Sequence, residues 1–349
     1  MPATRVAVIG AGSFGRNHLR VYRELQAAHP DLVELVAVVD PSDANLAQAT
    51  ERFAVPGYPS VDALLAANLR LDAASVCVPT VHHAAVAEQL IAANLDVLIE
   101  KPFAASLAEA DRILACAQEH ARVVAVGHLE RFNPAVNATI QRLNRPMFFE
   151  AHRLSIFTAR SLDVDVVLDL MIHDLDIVLA LTNSPVKEVR AVGLPVLSHK
   201  VDIANVRVEF DSGCVANFTA SRISTEQVRK LRLFQPRQYL SLDFARQELL
   251  TIDVAGVTPE QLALLASLGK LPLPTAPTPN TQHPTPGLAL EKLELERAEP
   301  LRLELEDFLH AVRHRSAPRV TGEAGRAALA LALEINQQIA AHAHRAGLQ

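Results

Sequence analysis

Residues 5–15 read Arg5-Val6-Ala7-Val8-Ile9-Gly10-Ala11-Gly12-Ser13-Phe14-Gly15. Four apolar residues running straight into a G-x-G-x-x-G spacing predict a buried strand, a tight turn and the start of a helix. Each glycine has its own reason in that geometry. Gly10 permits the turn, Gly12 lets a pyrophosphate approach the backbone, and Gly15 lets the helix pack close to the strand. The amides at the helix start, near Ser13 and Phe14, then face the phosphates. A plain glycine turn is the alternative, disfavoured by the strand before the motif and the helical pattern after it.

The pattern continues outward from this unit. Strand-length apolar runs at residues 32–39, 73–78, 96–100 and 123–127 alternate with helical segments at 16–28, 43–53, 84–93 and 107–119, the last opened by a Ser106-x-x-Glu109 capping box. Continuous hydrophobicity in Val36–Val39 and Val76–Val78 implies strands covered on both faces, hence a doubly wound parallel sheet over residues 1–127. Asp40 ends the second strand, where a carboxylate accepts hydrogen bonds from ribose hydroxyls and repels a 2′-phosphate. With no arginine in Pro41-Ser42-Asp43-Ala44-Asn45, the expected cofactor is NAD rather than NADP. Capping of the next helix is the alternative role for Asp40.

Residues 128–349 follow a different grammar. A helix is expected at 134–143, a strand at 147–155 and a long helix at 166–181. Alternating strands follow at 206–210 and 214–220 around the turn Asp211-Ser212-Gly213, then at 230–234, 239–244 and 249–253. This predicts a largely antiparallel sheet with helices on one face, an α+β domain for substrate binding and oligomerisation. The face carrying Val206, Val208, Phe210 and Phe218 is expected to be covered by a second copy, giving a homodimer or homotetramer. Leu271–Gly287, with six prolines, reads as an extended surface loop, and helices at 301–313 and 327–343 finish the chain.

Composition bounds the function. Half the 349 residues are apolar, enough for two cores. Lys plus Arg total 33 against Asp plus Glu 39, which leaves no concentrated positive charge for nucleic acid. Cys77, Cys116 and Cys214 lie far apart without metal or disulfide spacing, and no stretch reads as a signal peptide or membrane span. A soluble, cytoplasmic protein acting on a small molecule, with no membrane partner, is expected.

Glu100-Lys101-Pro102 closes the fifth strand, on the edge where doubly wound sheets bind ligands. Together with the glycine motif, Val78-Pro79-Thr80-Val81-His82-His83 and Asp169-x-x-x-His173-Asp174-x-x-Ile177, it resembles the Gfo/Idh/MocA family of oxidoreductases over nearly the whole chain. The resemblance implies that Lys101 and His173 carry the chemistry and that a cis peptide precedes Pro102. Pro79, His83, Glu100 and Lys101 join Gly10, Gly12, Ser13, Phe14, Gly15 and Asp40 as cofactor-side candidates, with a structural role as the alternative for His83.

Elementary chemistry agrees with those roles. Oxidising an alcohol needs a base at the hydroxyl and a cation for the developing alkoxide, which suit His173 and Lys101. Asp169, four residues before His173, is expected one helical turn away, orienting the imidazole or positioning substrate. Asp169, His173 and Asp176 sharing a metal is the weaker alternative, and no metal is expected. Met171 stands where many relatives of the family carry glycine, so a reshaped pocket is expected.

Gly127-His128-Leu129-Glu130-Arg131-Phe132-Asn133-Pro134, with Ser221-Arg222-Ile223 and Arg229-Lys230-Leu231-Arg232-Leu233-Phe234, most resembles the UDP-N-acetylglucosamine 3-dehydrogenase branch. That implies oxidation at C3 to a 3-keto sugar nucleotide, with Lys101, Arg131, Asn133, Asp169, His173 and Arg222 at the substrate. Basic side chains of the 229–234 run could pair with a diphosphate, although arginines alternating along a strand are usually solvated. An inositol or free-sugar dehydrogenase, or a non-catalytic dinucleotide sensor, are the alternatives.

Overall fold

The computed structural model describes residues 2–157, 164–254 and 289–347. The first sheet contains β1 (Thr4–Ile9), β2 (Val33–Val39), β3 (Gly57–Tyr58), β4 (Ala73–Val76), β5 (Asp96–Glu100) and β6 (Val124–Gly127), all parallel, in the order β3-β2-β1-β4-β5-β6. This is the dinucleotide-fold order, with its crevice outside the carboxyl ends of the paired β1 and β4, where the strand order reverses. Between the strands run α1 (Ser13–Ala28), α2 (Asp43–Phe53), α3 (Val61–Ala66), α4 (His83–Ala92) and α5 (Leu107–Glu119). Alternate residues of β1 divide between two cores, Val6 and Val8 on the α1 side and Ala7 and Ile9 on the α4–α5 side. The short β3 and α3 carry too few apolar positions for periodicity to announce them.

The second sheet has eight strands: β7 (Phe148–Ile156), β8 (Val186–Leu194), β9 (Ile203–Phe210), β10 (Val215–Ser224), β11 (Val228–Gln235), β12 (Gln238–Asp243), β13 (Glu248–Asp253) and β14 (Ala289–Leu293). Their order is β14-β13-β12-β11-β7-β10-β9-β8, antiparallel except for the β7–β10 pair. The predicted β9–β10 hairpin turns at Gly213, whose φ of +82° suits glycine. The 271–287 segment lies outside the described residues.

Two expectations are corrected by packing. Val206, Val208, Phe210 and Phe218 are not an uncovered face. They are at most 1% exposed, in one core with α7 (Ile172–Thr182) and α9 (Gly322–Arg345). Strand alternation identifies an apolar face without saying what covers it, and here the chain's own helices do. The open face instead carries Asn205, Arg207, Asn217 and Thr219, with Phe148, Phe234 and Tyr239 stacked at ring-centroid distances of 5.5 and 4.9 Å.

The division at residue 127 is the second. Helix α8 (Pro300–His314) buries Leu301, Leu305, Phe308 and Leu309 against Val6, Val8 and Leu19, so the chain returns to complete the first sheet's cover. Helix α9 bridges both cores, with Leu329 in one and Ala332 and Ile335 in the other.

Candidate active site

The glycine loop has the geometry its sequence dictates. Gly10 has φ +101°, and a Cβ there would come within 2.6 Å of the Cys77 carbonyl oxygen. At Gly15 a Cβ would lie 1.8 Å from the Gly10 oxygen, a clash with backbone that cannot yield. Over Gly12 there is open space. Helix α1 begins at Ser13 with no side-chain cap and no acidic residue in its first turn, beside the exposed Ser13 and Phe14. An uncapped helix start under an open glycine is a cradle for a dinucleotide's phosphates. Asp40 is buried at the end of β2. Its carboxylate accepts from Ala11 N at 2.7 Å, Ser42 N at 2.9 Å and Asn45 Nδ2 at 3.4 Å. It thus braces the glycine loop and still has acceptor capacity for a ribose hydroxyl. The cap of α2 is Ser42, not Asp40.

Of the other cofactor-side candidates, only Pro79 is exposed, ahead of the single turn 80–82. His83 is buried, its Nδ1 3.0 Å from Pro102 O and its Nε2 2.9 Å from Val78 O, so it ties two loops together. Burial lowers its pKa despite both carbonyl contacts. Glu100 is likewise turned inward, with Oε1 2.8 Å from His18 Nε2 and Oε2 accepting from Lys101 N at 3.3 Å. The Lys101–Pro102 bond is cis.

Lys101 reaches across to the second domain. Its Nζ donates to the Asp169 backbone oxygen at 2.7 Å and lies 3.4 Å from that carboxylate. Asp169 therefore holds the lysine rather than the imidazole, contrary to the expected dyad. The reason is local. Residues Val167–Met171 form a π-helical turn, started by Asp165, whose Oδ1 accepts from Val167 N and Leu168 N, and only then does α7 begin. A wider turn breaks the i, i+4 alignment that an α-helix would have given Asp169 and His173. It also turns Met171 into the core, 1% exposed, so this residue does not reshape the pocket.

His173 is half-buried, with Nδ1 buried and unpartnered. Burial, then the charges of Lys101 and Arg153, press its pKa well below the ordinary 6.5, so the imidazole is neutral at physiological pH. The next residue anchors the helix. Asp174 receives two 2.8 Å bonds from Arg153 of β7, which also reaches Glu130 at 3.1 Å and lies over the Phe244 ring.

Three proposed substrate contacts are engaged within the protein. Asn133 is 1% exposed. It caps α6 (Pro134–Ile140) through Ala135 N and donates to Glu130 and Phe244 O, so its role is structural. Arg222, 5% exposed, pairs with Asp202 at 3.7 Å and donates to Val164 O. Arg131 pairs with Asp176 at 3.3 Å. Phe244, Val164, Asp202 and Asp176 arrive from other elements, and no local pattern announces them.

Two residues named only within longer runs stand nearer the chemistry. Arg229 lies directly across from Arg153 in the β11–β7 register, and its charge bears on His173. Among the described residues its side chain makes no ion pair or hydrogen bond, although the charges of Glu130 and Asp174 bear on it. His128, directly after β6, sits edge-to-face with His173 at 6.2 Å between ring centroids. Its place past a strand's C-terminal end was the signal available for it. Among the described residues no three His, Cys, Asp or Glu side chains converge in a metal-binding group, and no helix is long and apolar enough to cross a membrane.

Residues 4–128 match the oxidoreductase family with an NAD-binding Rossmann fold, and residues 135–236 match the GFO/IDH/MocA C-terminal domain. The chain is 36% identical to a UDP-N-acetylglucosamine 3-dehydrogenase from Acidithiobacillus ferrooxidans, over 98% of this chain and 99% of that one. A solved structure of that protein superposes with a TM-score of 0.84 over the same shares of the two chains. An inositol 2-dehydrogenase from Acidothermus cellulolyticus is 31% identical over 54% of this chain and 57% of its own. At 17% identity, WlbA dehydrogenase from Bordetella pertussis, solved with NADH and UDP-GlcNAcA, shares the fold with a TM-score of 0.74, covering 97% of each chain. Motif, topology and full-length likeness converge, and the chain belongs to the Gfo/Idh/MocA family of NAD-binding oxidoreductases.

Proposed function

We propose that the protein oxidises a secondary hydroxyl of a nucleotide sugar with NAD, the C3 hydroxyl of UDP-N-acetylglucosamine being the leading candidate. What supports this is Lys101, seated on Asp169 at 2.7 Å from the end of β5, with its charge bearing on the His173 imidazole. Full-length likeness to a dehydrogenase of that name supports the choice of sugar.

Gly10, Gly12, Gly15 and the amides of Ser13 and Phe14 would hold the pyrophosphate, and Asp40 the ribose. When bound, NAD accepts the hydride leaving the carbinol carbon. The chain supplies the rest. With Nδ1 buried, His173 offers Nε2 to the substrate hydroxyl as a neutral base, and Lys101, held by Asp169, puts positive charge beside the developing alkoxide.

Arg229 favours a nucleotide sugar over inositol or a free sugar, because a guanidinium near the base whose donors are not taken up by an ion pair suits a diphosphate. Incubation with NAD and a panel of UDP-sugars, inositols and free hexoses, followed by absorbance of reduced cofactor, tests the reading. Reduction with UDP-N-acetylglucosamine and a 3-keto product is expected. Reduction only with inositols or hexoses would replace the substrate, and none with any would return the chain to the sensor class. We assign the protein to the cytoplasm, where NAD and nucleotide sugars are found, and infer a homodimer or homotetramer through the open face around Phe148, Phe234 and Tyr239. A monomeric mass in light scattering would refute that assembly.

A further inference from the structure

We propose that His128 is a proton-relay residue that takes the alcohol's proton from His173 and passes it to Asp176; the inference rests on the dehydrogenase reading above. Four buried polar atoms without hydrogen-bond partners among the described residues gather here: Nδ1 of His173, both ring nitrogens of His128 and Oδ2 of Asp176. Such atoms are uncommon in folded proteins, and several in one place call for a shared explanation.

The elements bring them together from two directions. His173 and Asp176 lie three residues apart on one face of α7, and His128 is presented to that face by the turn after β6, which packs on α7. At 6.2 Å between centroids the two rings are too far apart for a direct bond, so the proposed transfer runs through water. His128 is 1% exposed, so it has no solvent of its own to satisfy two nitrogens.

The charges set the direction of transfer. Lys101, Arg153, His128 and Arg229 face His173, so an imidazolium formed there is under pressure to lose its proton. Burial, with Lys101 and Arg131, opposes a lasting charge on His128, while Asp176 and Glu100 favour it, so the proton is passed on. Asp176 has Oδ1 held by Arg131 and Oδ2 open, and burial raises its pKa, which suits a proton acceptor. In balance, the carbinol hydride goes to NAD and the O–H proton to His173 Nε2. The proton already on Nδ1 moves through a bridging water to one nitrogen of His128, and the proton on the other nitrogen moves, through a second water, to Asp176 Oδ2. Arg131 is 14% exposed, so its pair with Asp176 is where this buried set meets solvent.

The test uses full-length His128→Gln, His128→Ala and Asp176→Asn. In the ligand-free protein, histidine-selective 1H–15N NMR follows the ring nitrogens of His173 through a pH titration. The expected result is a moved Nδ1 signal and an upward-shifted midpoint in His128→Gln, since His128 adds to the pressure against charge on His173. An unchanged titration in both His128 variants overturns the coupling, whether or not any sugar is oxidised.

With wild-type turnover in hand, both His128 variants should lose about tenfold to a hundredfold in kcat near neutral pH. The loss should shrink at alkaline pH, NAD affinity by fluorescence should be retained, and added imidazole should partly restore His128→Ala. A loss that is equal at every pH and is not rescued would assign His128 to packing alone. If wild-type protein reduces NAD with no sugar, the dehydrogenase reading fails, and the NMR titration still decides the coupling.

Discussion

Lys101 Nζ donates to the main-chain oxygen of Asp169 at 2.7 Å, so the amine at the end of β5 is seated on the π turn that precedes α7. The cation and the base are thereby fixed to the same short stretch of chain, although they come from different sheets. Lys101→Ala and His173→Ala are each expected to lower turnover by about a hundredfold to ten-thousandfold while leaving NAD affinity nearly unchanged. Asp169→Asn should cost less, because the backbone contact survives. Steady-state kinetics with a parallel fluorescence titration of NAD would check all three, and unimpaired turnover in both alanine variants would remove the catalytic assignment.

Arg229 is charged, unengaged among the described residues and within electrostatic reach of His173. Arg229→Ala is expected to raise KM for the UDP-sugar about tenfold or more, with a smaller effect on kcat, as loss of a charge-assisted contact to a diphosphate does. An equal KM in variant and wild type would place the diphosphate elsewhere.

His173 is the base only while neutral. Its folded pKa lies well below 6.5 because of burial and then Lys101 and Arg153, so kcat/KM should stay level through pH 6.5 and fall only at lower pH. Removing a nearby cation relieves the pressure against protonation, so Arg229→Ala should move that acid limb upward. A limb that moved downward would contradict the assignment of the titrating group.

Asp40 should make NAD bind at least about tenfold more tightly than NADP. Because the same carboxylate holds Ala11 N at 2.7 Å, Asp40→Ala should weaken NAD itself as well as relax the preference. Fluorescence titration of both cofactors reads this, and a variant with unchanged NAD affinity would separate Asp40 from the glycine loop.

Glu304 of α8 is 2% exposed with neither carboxylate oxygen partnered, and burial, then Glu100, hold its pKa well above 4.5. The folded protein therefore keeps a proton here that the unfolded chain releases above about pH 4.5, so this group's contribution to stability declines as pH rises. Glu304→Gln should match wild type near pH 5 and melt about 2–4 °C higher at pH 8. Thermal unfolding at the two pH values tests it, and a gain confined to pH 5 would show the sign to be wrong.

The first 127 residues were legible because their determinants are local. A glycine loop states its own geometry, and strands covered on both faces read as unbroken apolar runs. Lys101 and His173 were visible for the same reason, each inside a short motif. Three misreadings share one physical cause. Asn133 and Arg222 were assigned to substrate, and the Val206–Phe218 face to a second copy, because polarity or apolarity was visible and the partner was not. Phe244 O lies 111 residues from Asn133, and Asp202 and α9 likewise belong to other elements.

Sequence by itself therefore determined the strand and helix grammar and the cofactor loop, encoded over a few residues by sterics and periodicity, and it singled out Lys101 and His173 as the candidate reacting groups. Only the tertiary structure decided which polar groups are engaged and which stay open. It seated Lys101 on Asp169, opened a π turn that separates Asp169 from His173, returned α8 to the first sheet and set His128 against His173. Those outcomes depend on long-range burial and on which charges meet, and no local pattern carries that information.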